Sequence, residues 1–383
     1  MSVILYPPIR AGTSVDPIKT HGDGYQLYSR SADHSWIVIS HWSPEVDQAL
    51  RQSRPRRVLL DSQWAATDLD ALLPYAGAIE ELALDGPQNM DTSALAELPR
   101  LRLLELHADQ RVPFHRLFAL RECMIMAPAR LGSVCETPAL AHLNLQALDL
   151  RDLSALTSMA TLQSLTLGGM RKLRKLDGIE GLPLVKLALF YVTNVESVTP
   201  LTGLPLQTLT IDSSRSATGI ESSGEIASLR SLELENVAAQ PSLQFLSRLT
   251  ELRTLSLSNT ALTHDTVSVE PLLGLTHLRE LTLRGGTKKL EHLTGVESLG
   301  QLLELEGLQL QKGPKHIDSI GWVSSLHQLQ SFLLQGTRIR DGNLAPLLKL
   351  PKLKEVVISP VSMQYTHTDS SFRAALSASI ASR

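Results

Sequence analysis

Aromatic side chains are scarce in this 383-residue sequence. Six Phe, six Tyr and four Trp make up 4% of it, against a hydrophobic share of 43%. A core with so few rings must be filled by aliphatic groups, and leucine supplies that volume, so a core built from one repeated part is implied. Cysteine is nearly absent as well. Cys123 and Cys135 do not make a disulfide framework, which fits a reducing compartment.

Long apolar runs are missing. No segment approaches the roughly 20 apolar residues that span a bilayer. The opening "MSVILYPPIRAGTSVDP" has neither the basic start nor the apolar stretch of a signal peptide. The expectation is a soluble, cytoplasmic protein, with secretion that needs no cleaved signal left open. An excess of charge is missing too: 36 Lys and Arg face 39 Asp and Glu, for a net charge of −3. That balance offers no general attraction to nucleic acid or to an anionic membrane. The expected partner is a protein, and the oligomeric state is left open.

Motifs that carry chemistry are also lacking. There is no GxGxxG after a strand, no GxxxxGK[ST], no HExxH and no GxSxG. The two cysteines lack CxxC spacing, and Cys123 stands where a strand leucine is expected, which marks it as a small buried apolar residue. His21, Asp23, His34 and His41 cluster in sequence but match no metal-ligand spacing; they are taken as surface or loop residues, as are His367 and Asp369. The basic run "GGMRKLRK" at 168–175 is taken as a solvated edge. No catalytic residue, metal or cofactor is assigned, and no enzyme is expected.

What the sequence does have is a repeat. The pattern LxxLxL, with aliphatic substitutions, occurs as "IEELAL" from Ile79, "LRLLEL" from Leu101, "LRECMI" from Leu120 and "LAHLNL" from Leu140. It continues as "LQSLTL" from Leu162, "LVKLAL" from Leu184, "LQTLTI" from Leu206, "LRSLEL" from Leu229 and "LRTLSL" from Leu252. "LRELTL" from Leu278, "LEGLQL" from Leu305, "LQSFLL" from Leu329 and "LKEVVI" from Leu353 complete the series, and a weaker "PRRVLL" from Pro55 precedes it. From Leu140 to Leu162, Leu184 and Leu206 the step is 22 residues each time; elsewhere it ranges from 19 to 27. The period also settles a local ambiguity. "LAHLNL" and "LQALDL" both fit the pattern, but only a start at Leu140 keeps the 22-residue step, so Leu143 and Leu145 are the inward pair.

Successive strand residues point to opposite faces. The two leucines of LxL therefore point into a core, and one repeat can bury them only against its neighbours. Between strands, apolar residues fall every three positions, as at Leu290, Leu293, Val296, Leu299 and Leu302, at Leu243, Leu246 and Leu249, and at Leu344, Leu347 and Leu350. That period predicts 3₁₀ turns or short helical pieces rather than long α-helices.

Residues 55–360, with about 13–14 units, resemble the leucine-rich repeat family, and within it the short 22-residue class of internalin-like bacterial proteins. The resemblance implies an α/β solenoid of horseshoe form, with parallel strands on the concave face and 3₁₀ or short helical turns on the convex face. It also implies a binding protein. The family's Asn ladder after each strand is missing, because Leu148, Met170, Val192, Ser214, Val237, Thr260 and Thr337 hold that position. Less regular turns are the expected consequence.

Residues 1–54 lack the repeat. "GYQLYS" and "SWIVIS" predict a pair of strands, and "SPEVDQALRQS" a short helix with Ser43 as N-cap and Pro44 at its first position. With Tyr25, Tyr28, Trp36 and Trp42, this segment fits a cap over the first open core; a small binding module is the alternative. Residues 361–383 fit a C-terminal cap or a tail.

The outward strand positions form columns on the strand face. Met124, Met126 and Phe190, with Tyr191 just beyond, place large apolar groups where solvent is expected. Asp212, Glu233 and Glu235 follow as an acidic block, with Gln146 and Arg284 in the same columns. Met124 and Met126 have an alternative, shelter under 109–119 with its Phe114 and Phe118. These residues form the candidate site of a non-catalytic protein-interaction scaffold. A secreted effector or virulence-associated protein and a toxin-neutralising (immunity) protein are the competing functions.

Overall fold

A computed structural model describes residues 18–29, 35–126, 131–214, 217–237, 242–259, 267–286 and 293–359, with Tyr365, Ala374 and Ala378 beyond them. The chain forms two compact units, 1–140 and 141–383. The proposed cap or tail at 361–383 lies outside the described residues except at those three positions.

In the first unit, Ile18–Gly22 pairs antiparallel with Tyr25–Ser29, which pairs antiparallel with Ser35–Ile39. The first of these strands was not expected, because "IKTHG" carries no alternation of apolar and polar residues; it is held by backbone pairing to its neighbour. Gly24 turns the hairpin at φ 80, and a Cβ there would stand 2.3 Å from the His41 carbonyl oxygen. Ser35–Ile39 then runs parallel to Arg57–Leu60, followed by Glu81–Leu84, Leu103–Leu106 and Glu122–Ile125.

The helix Pro44–Ser53 forms as its sequence requires. The Ser43 hydroxyl oxygen accepts from the Val46 N–H at 3.2 Å, Pro44 fills a position that needs no donor, and Arg54 ends the helix at φ 43. Val46, Ala49 and Leu50 are its buried face. The Tyr75 hydroxyl donates to the Asp47 carboxylate, tying the helix to the turn Asp70–Tyr75. Trp42 meets Trp64 edge-on at 6.4 Å.

The second unit holds ten parallel strands of one sheet among its described residues, from His142–Gln146 to Glu355–Ser359. Their register is the one the period implies: Leu143 pairs with Leu165, which pairs with Leu187, and Leu145 follows the same course through Leu167 and Leu189. All six are at most 2% exposed. Each such leucine contributes roughly 1.5–3 kcal/mol of burial.

The return path explains the three-residue period. The Leu156 N–H donates to Leu153, Met159 to Leu156 and Leu162 to Met159, at 2.8–3.0 Å. Each apolar residue is therefore one 3₁₀ turn from the last, on the same side, and all four are buried. Leu243, Leu246, Leu249 and Leu252 repeat the arrangement. Ala345–Leu348 differs in being a short α-helical turn. Leu290 lies outside the described residues. Before Pro205, Leu204 is extended at φ −90, ψ 146, as a residue preceding proline should be.

The expected irregularity of the turns after the strands is not found. Leu148, Met170, Val192, Ser214, Val237 and Thr337 are all buried, so the position that lacks Asn extends the core instead; Thr260 lies outside the described residues. The ladder runs one residue earlier, on the backbone. The N–H of Ala147, Gly169, Tyr191, Ser213, Asn236 and Asn259 each donates to the carbonyl of the last residue of the next strand, at 2.8–3.1 Å. Gly285, Lys312 and Gly336 continue it. Apart from Gly285, every residue in this row has a left-handed backbone, with φ between 51 and 85.

That row carries a cost, because a side chain in left-handed backbone is unfavourable by roughly 1–2 kcal/mol. Ala147 is exposed at φ 57. Ala147→Gly relieves that cost against an entropic loss of about 0.5–1 kcal/mol, so the expected net gain is up to about 1 kcal/mol. Ala147→Val, branched at Cβ, is expected to lose about 1–2 kcal/mol. Urea unfolding checks both; equal stability of the two variants would contradict the strained turn.

Candidate functional site

The parallel register sets the strand face of residues 141–383. Gln146, Gly168, Phe190, Asp212, Glu235, Ser258 and Arg284 are consecutive register partners, one per strand. Five of the residues selected from sequence thus stand in one row, at the roughly 4.8 Å spacing of paired strands. Glu233 stands in the row beside it, between Thr210 and Ser256. Its side chain shares a face with Glu235 two residues on.

Phe190 is half-buried and its neighbour on one side is Gly168, which has no side chain to cover it. Gln146 lies over Gly168 instead, where a Cβ would meet its Oε1, and its Nε2 donates to Asn144 Oδ1 at 2.6 Å. On the other side Asp212 Oδ1 accepts from Ser213 Oγ at 2.8 Å and from Asn236 Nδ2 at 3.2 Å. Asn259 Nδ2 donates onward to Asn236 Oδ1. A polar ladder therefore holds Asp212 in place. Among the described residues, no hydrogen bond or ion pair engages the side chains of Glu233 and Glu235, which stand two strands from Phe190.

Tyr191 is 62% exposed and stands just past the strand, in the left-handed row at φ 55. It lines a hollow of about 720 Å³ with Ala147, Asp149, Gly169, Arg171, Thr193 and Asn194. Arg284, in the same row as Phe190, is exposed.

Met124 and Met126 belong to the other compact unit. Met124 pairs with Glu105, and both methionines are half-exposed. Phe114 is buried in the turn Phe114–Arg116, which packs on Leu131–Val134, and Phe118 is 69% exposed. The apolar groups of 109–119 are thus taken up by the return side and the surface. The sequence did not connect one further group on this unit's strand face. Arg57 reaches Glu105 at 2.8 Å and Glu81 at 3.3 Å, with the Arg57 and Glu105 side chains only 15% exposed. All three residues lie on adjacent strands, and only the register shows that they meet.

The remaining titratable groups singled out in the sequence are placed as follows. Lys172, Arg174 and Lys175 of the basic run face Asp149 at 2.6 Å, Glu196 at 3.5 Å and Asp177 at 3.9 Å. His41 Nε2 meets Asp23 Oδ1 at 2.9 Å, and no group of three metal-ligating side chains occurs among the described residues; His34, His367 and Asp369 lie outside them. Burial raises the Cys123 thiol pKa far above its usual value, with Glu122 adding to the shift, and pushes Cys135 up to about 11, with Glu136 adding to it. No helix among the described residues is long and apolar enough to cross a membrane.

Known proteins place the fold. No protein-family model matches the chain, and no curated protein matches it in sequence. Among solved structures, an internalin of Listeria monocytogenes is 20% identical, covering 80% of this chain and 86% of its own, with a TM-score of 0.59. A leucine-rich repeat protein of Leptospira interrogans is 19% identical over 83% of this chain and 82% of its own, at a TM-score of 0.52. Toll, solved in a complex with Spatzle from Drosophila, is 15% identical over 88% of this chain and 51% of its own, at 0.54. The chain has the leucine-rich repeat fold, an open sheet of parallel strands returned by 3₁₀ turns, as in these internalin and leucine-rich repeat neighbours.

Proposed function

We propose that this chain is a non-catalytic protein-interaction scaffold, and that the strand face of residues 141–383 contacts its partner. One observation carries the proposal: Phe190 stands half-exposed in a row with Asp212 and Glu235, with Glu233 in the next row and, among the described residues, two of the three carboxylates unengaged. The partner that fits presents basic groups next to an apolar side chain. Phe190 supplies the apolar anchor, the carboxylates set approach and orientation, and Tyr191 adds an aromatic edge. The fold's neighbour Toll, seen with a protein partner, is in keeping with that use of the scaffold. Gln146 and Arg284 are the polar ends of the row. Met124 and Met126 are proposed as a second apolar contact, on the strand face of residues 1–140.

Affinity capture from the native organism tests the site. Phe190→Ser combined with Glu233→Lys is expected to weaken capture of the partner by roughly tenfold or more, with the unfolding midpoint unchanged. A captured partner that binds this variant as tightly as the natural protein would exclude the row as the contact. The absence of nucleophilic chemistry is checked separately. With its pKa near 11, Cys135 holds little thiolate at neutral pH, so alkylation of the folded protein is expected to run roughly 10²-fold slower than that of an ordinary thiol. Alkylation as fast as that of free cysteine would reopen the question.

A further inference from the structure

The residue just before each strand is also stacked by the repeat. In residues 1–140 the Arg102 N–H donates to the Glu80 carbonyl at 2.7 Å, and the Arg121 N–H to the Arg102 carbonyl at 2.9 Å. Arg102 and Arg121 therefore stand on adjacent rungs, and like charges so placed are destabilising. Arg100 joins them, and Glu80, Pro99 and Ala119 complete the lining of a hollow of about 580 Å³. Three arginines and one glutamate thus line the hollow, and Glu80 is also approached by Arg56 at 3.9 Å. Arg100 and Arg102 are exposed, and no ion pair engages either among the described residues. Arg121 donates to the Phe118 and Leu120 carbonyls at 3.0 and 3.1 Å, which fixes its position at the rim. Phe118, whose carbonyl Arg121 engages, is 69% exposed, the most exposed of the large hydrophobic groups among the described residues.

We infer that this hollow is a second docking site, taking an acidic peptide segment of a protein partner. Guanidinium groups hold carboxylates through paired hydrogen bonds, so two carboxylates of such a segment would offset the repulsion between Arg102 and Arg121. An apolar residue of the same segment would cover Phe118. A nucleic acid is disfavoured, because its regularly spaced phosphates call for an extended basic track, whereas these arginines share one hollow in a chain of net charge −3. The site is separate from the acidic row at Asp212 and Glu235, so the two proposals fail independently.

The test uses the full-length protein and a fluorescein-labelled peptide, Glu-Asp-Leu-Glu-Asp-Phe, followed by anisotropy at physiological ionic strength. The natural protein is expected to bind it, and Arg102→Glu to weaken binding by roughly tenfold. Arg253→Glu is the control. Arg253 follows Arg230 on an adjacent rung of the other unit, where its N–H donates to the Arg230 carbonyl at 2.8 Å, and both are exposed. Its replacement makes the same charge change and is expected to leave binding within about twofold. Arg100→Glu repeats the measurement should Arg102→Glu fail to fold. No binding by the natural protein overturns the proposal. So does an equal loss in Arg253→Glu, which would mean general attraction, or tighter binding of a single-stranded oligodeoxynucleotide than of the peptide.

Discussion

Everything in this molecule depends on the lateral stacking of inward leucines. A repeat of about 22 residues contributes one short strand and one or two tight turns, and it has no second layer of its own to pack against. Leu187 is buried because Leu165 and Leu209 lie on either side of it in register. The same stacking aligns the backbone, so each strand's carbonyls meet the donors of the next. Where the chain leaves the sheet, the row at Ala147, Gly169 and Tyr191 keeps that alignment for one residue more, at a cost in left-handed backbone. The strain is tolerated because both neighbours fix the position.

This division of labour frees the strand face. The outward residues between the leucines contribute little to the core, and their side chains vary from one strand to the next: glycine at 168, phenylalanine at 190, aspartate at 212. A scaffold stabilised from one side can carry an acidic row, an aromatic step and an arginine hollow without rebuilding the core. The two cysteines are held as thiols by burial.

Much of this was legible in the sequence because the physics is periodic. A two-residue alternation within LxL and a 22-residue step are enough to fix strand, register and inward face, and the three-residue spacing at Leu153, Leu156 and Met159 reads directly as a chain of 3₁₀ bonds. Ser43 and Pro44 announced a helix by local chemistry alone. What was not legible depends on contacts without a pattern. The strand Ile18–Gly22 is held by backbone pairing, and its side chains give no sign of it. The regular turns were hidden because the missing Asn suggested disorder of the ladder, whereas the backbone donor one residue earlier carries it. The row from Gln146 to Arg284 followed from the period, but its hydrogen bonds from Asn259 through Asn236 to Asp212 did not. The junction of Arg57 with Glu81 and Glu105 likewise required the coordinates.

The central claim is that each repeat's leucines are stabilised by those of the next repeat, not by their own. A double-mutant cycle measures this. Leu209 and Leu232 are register partners on adjacent strands, both fully buried, whereas Leu165 and Leu281 belong to strands well separated in the sheet. Truncating each to alanine, singly and in pairs, and following urea unfolding gives the two coupling energies. The account predicts a coupling of about 0.5–3 kcal/mol for Leu209 with Leu232, and a value within about 0.5 kcal/mol of zero for Leu165 with Leu281. Equal coupling in the two pairs, or none in the adjacent one, would contradict it.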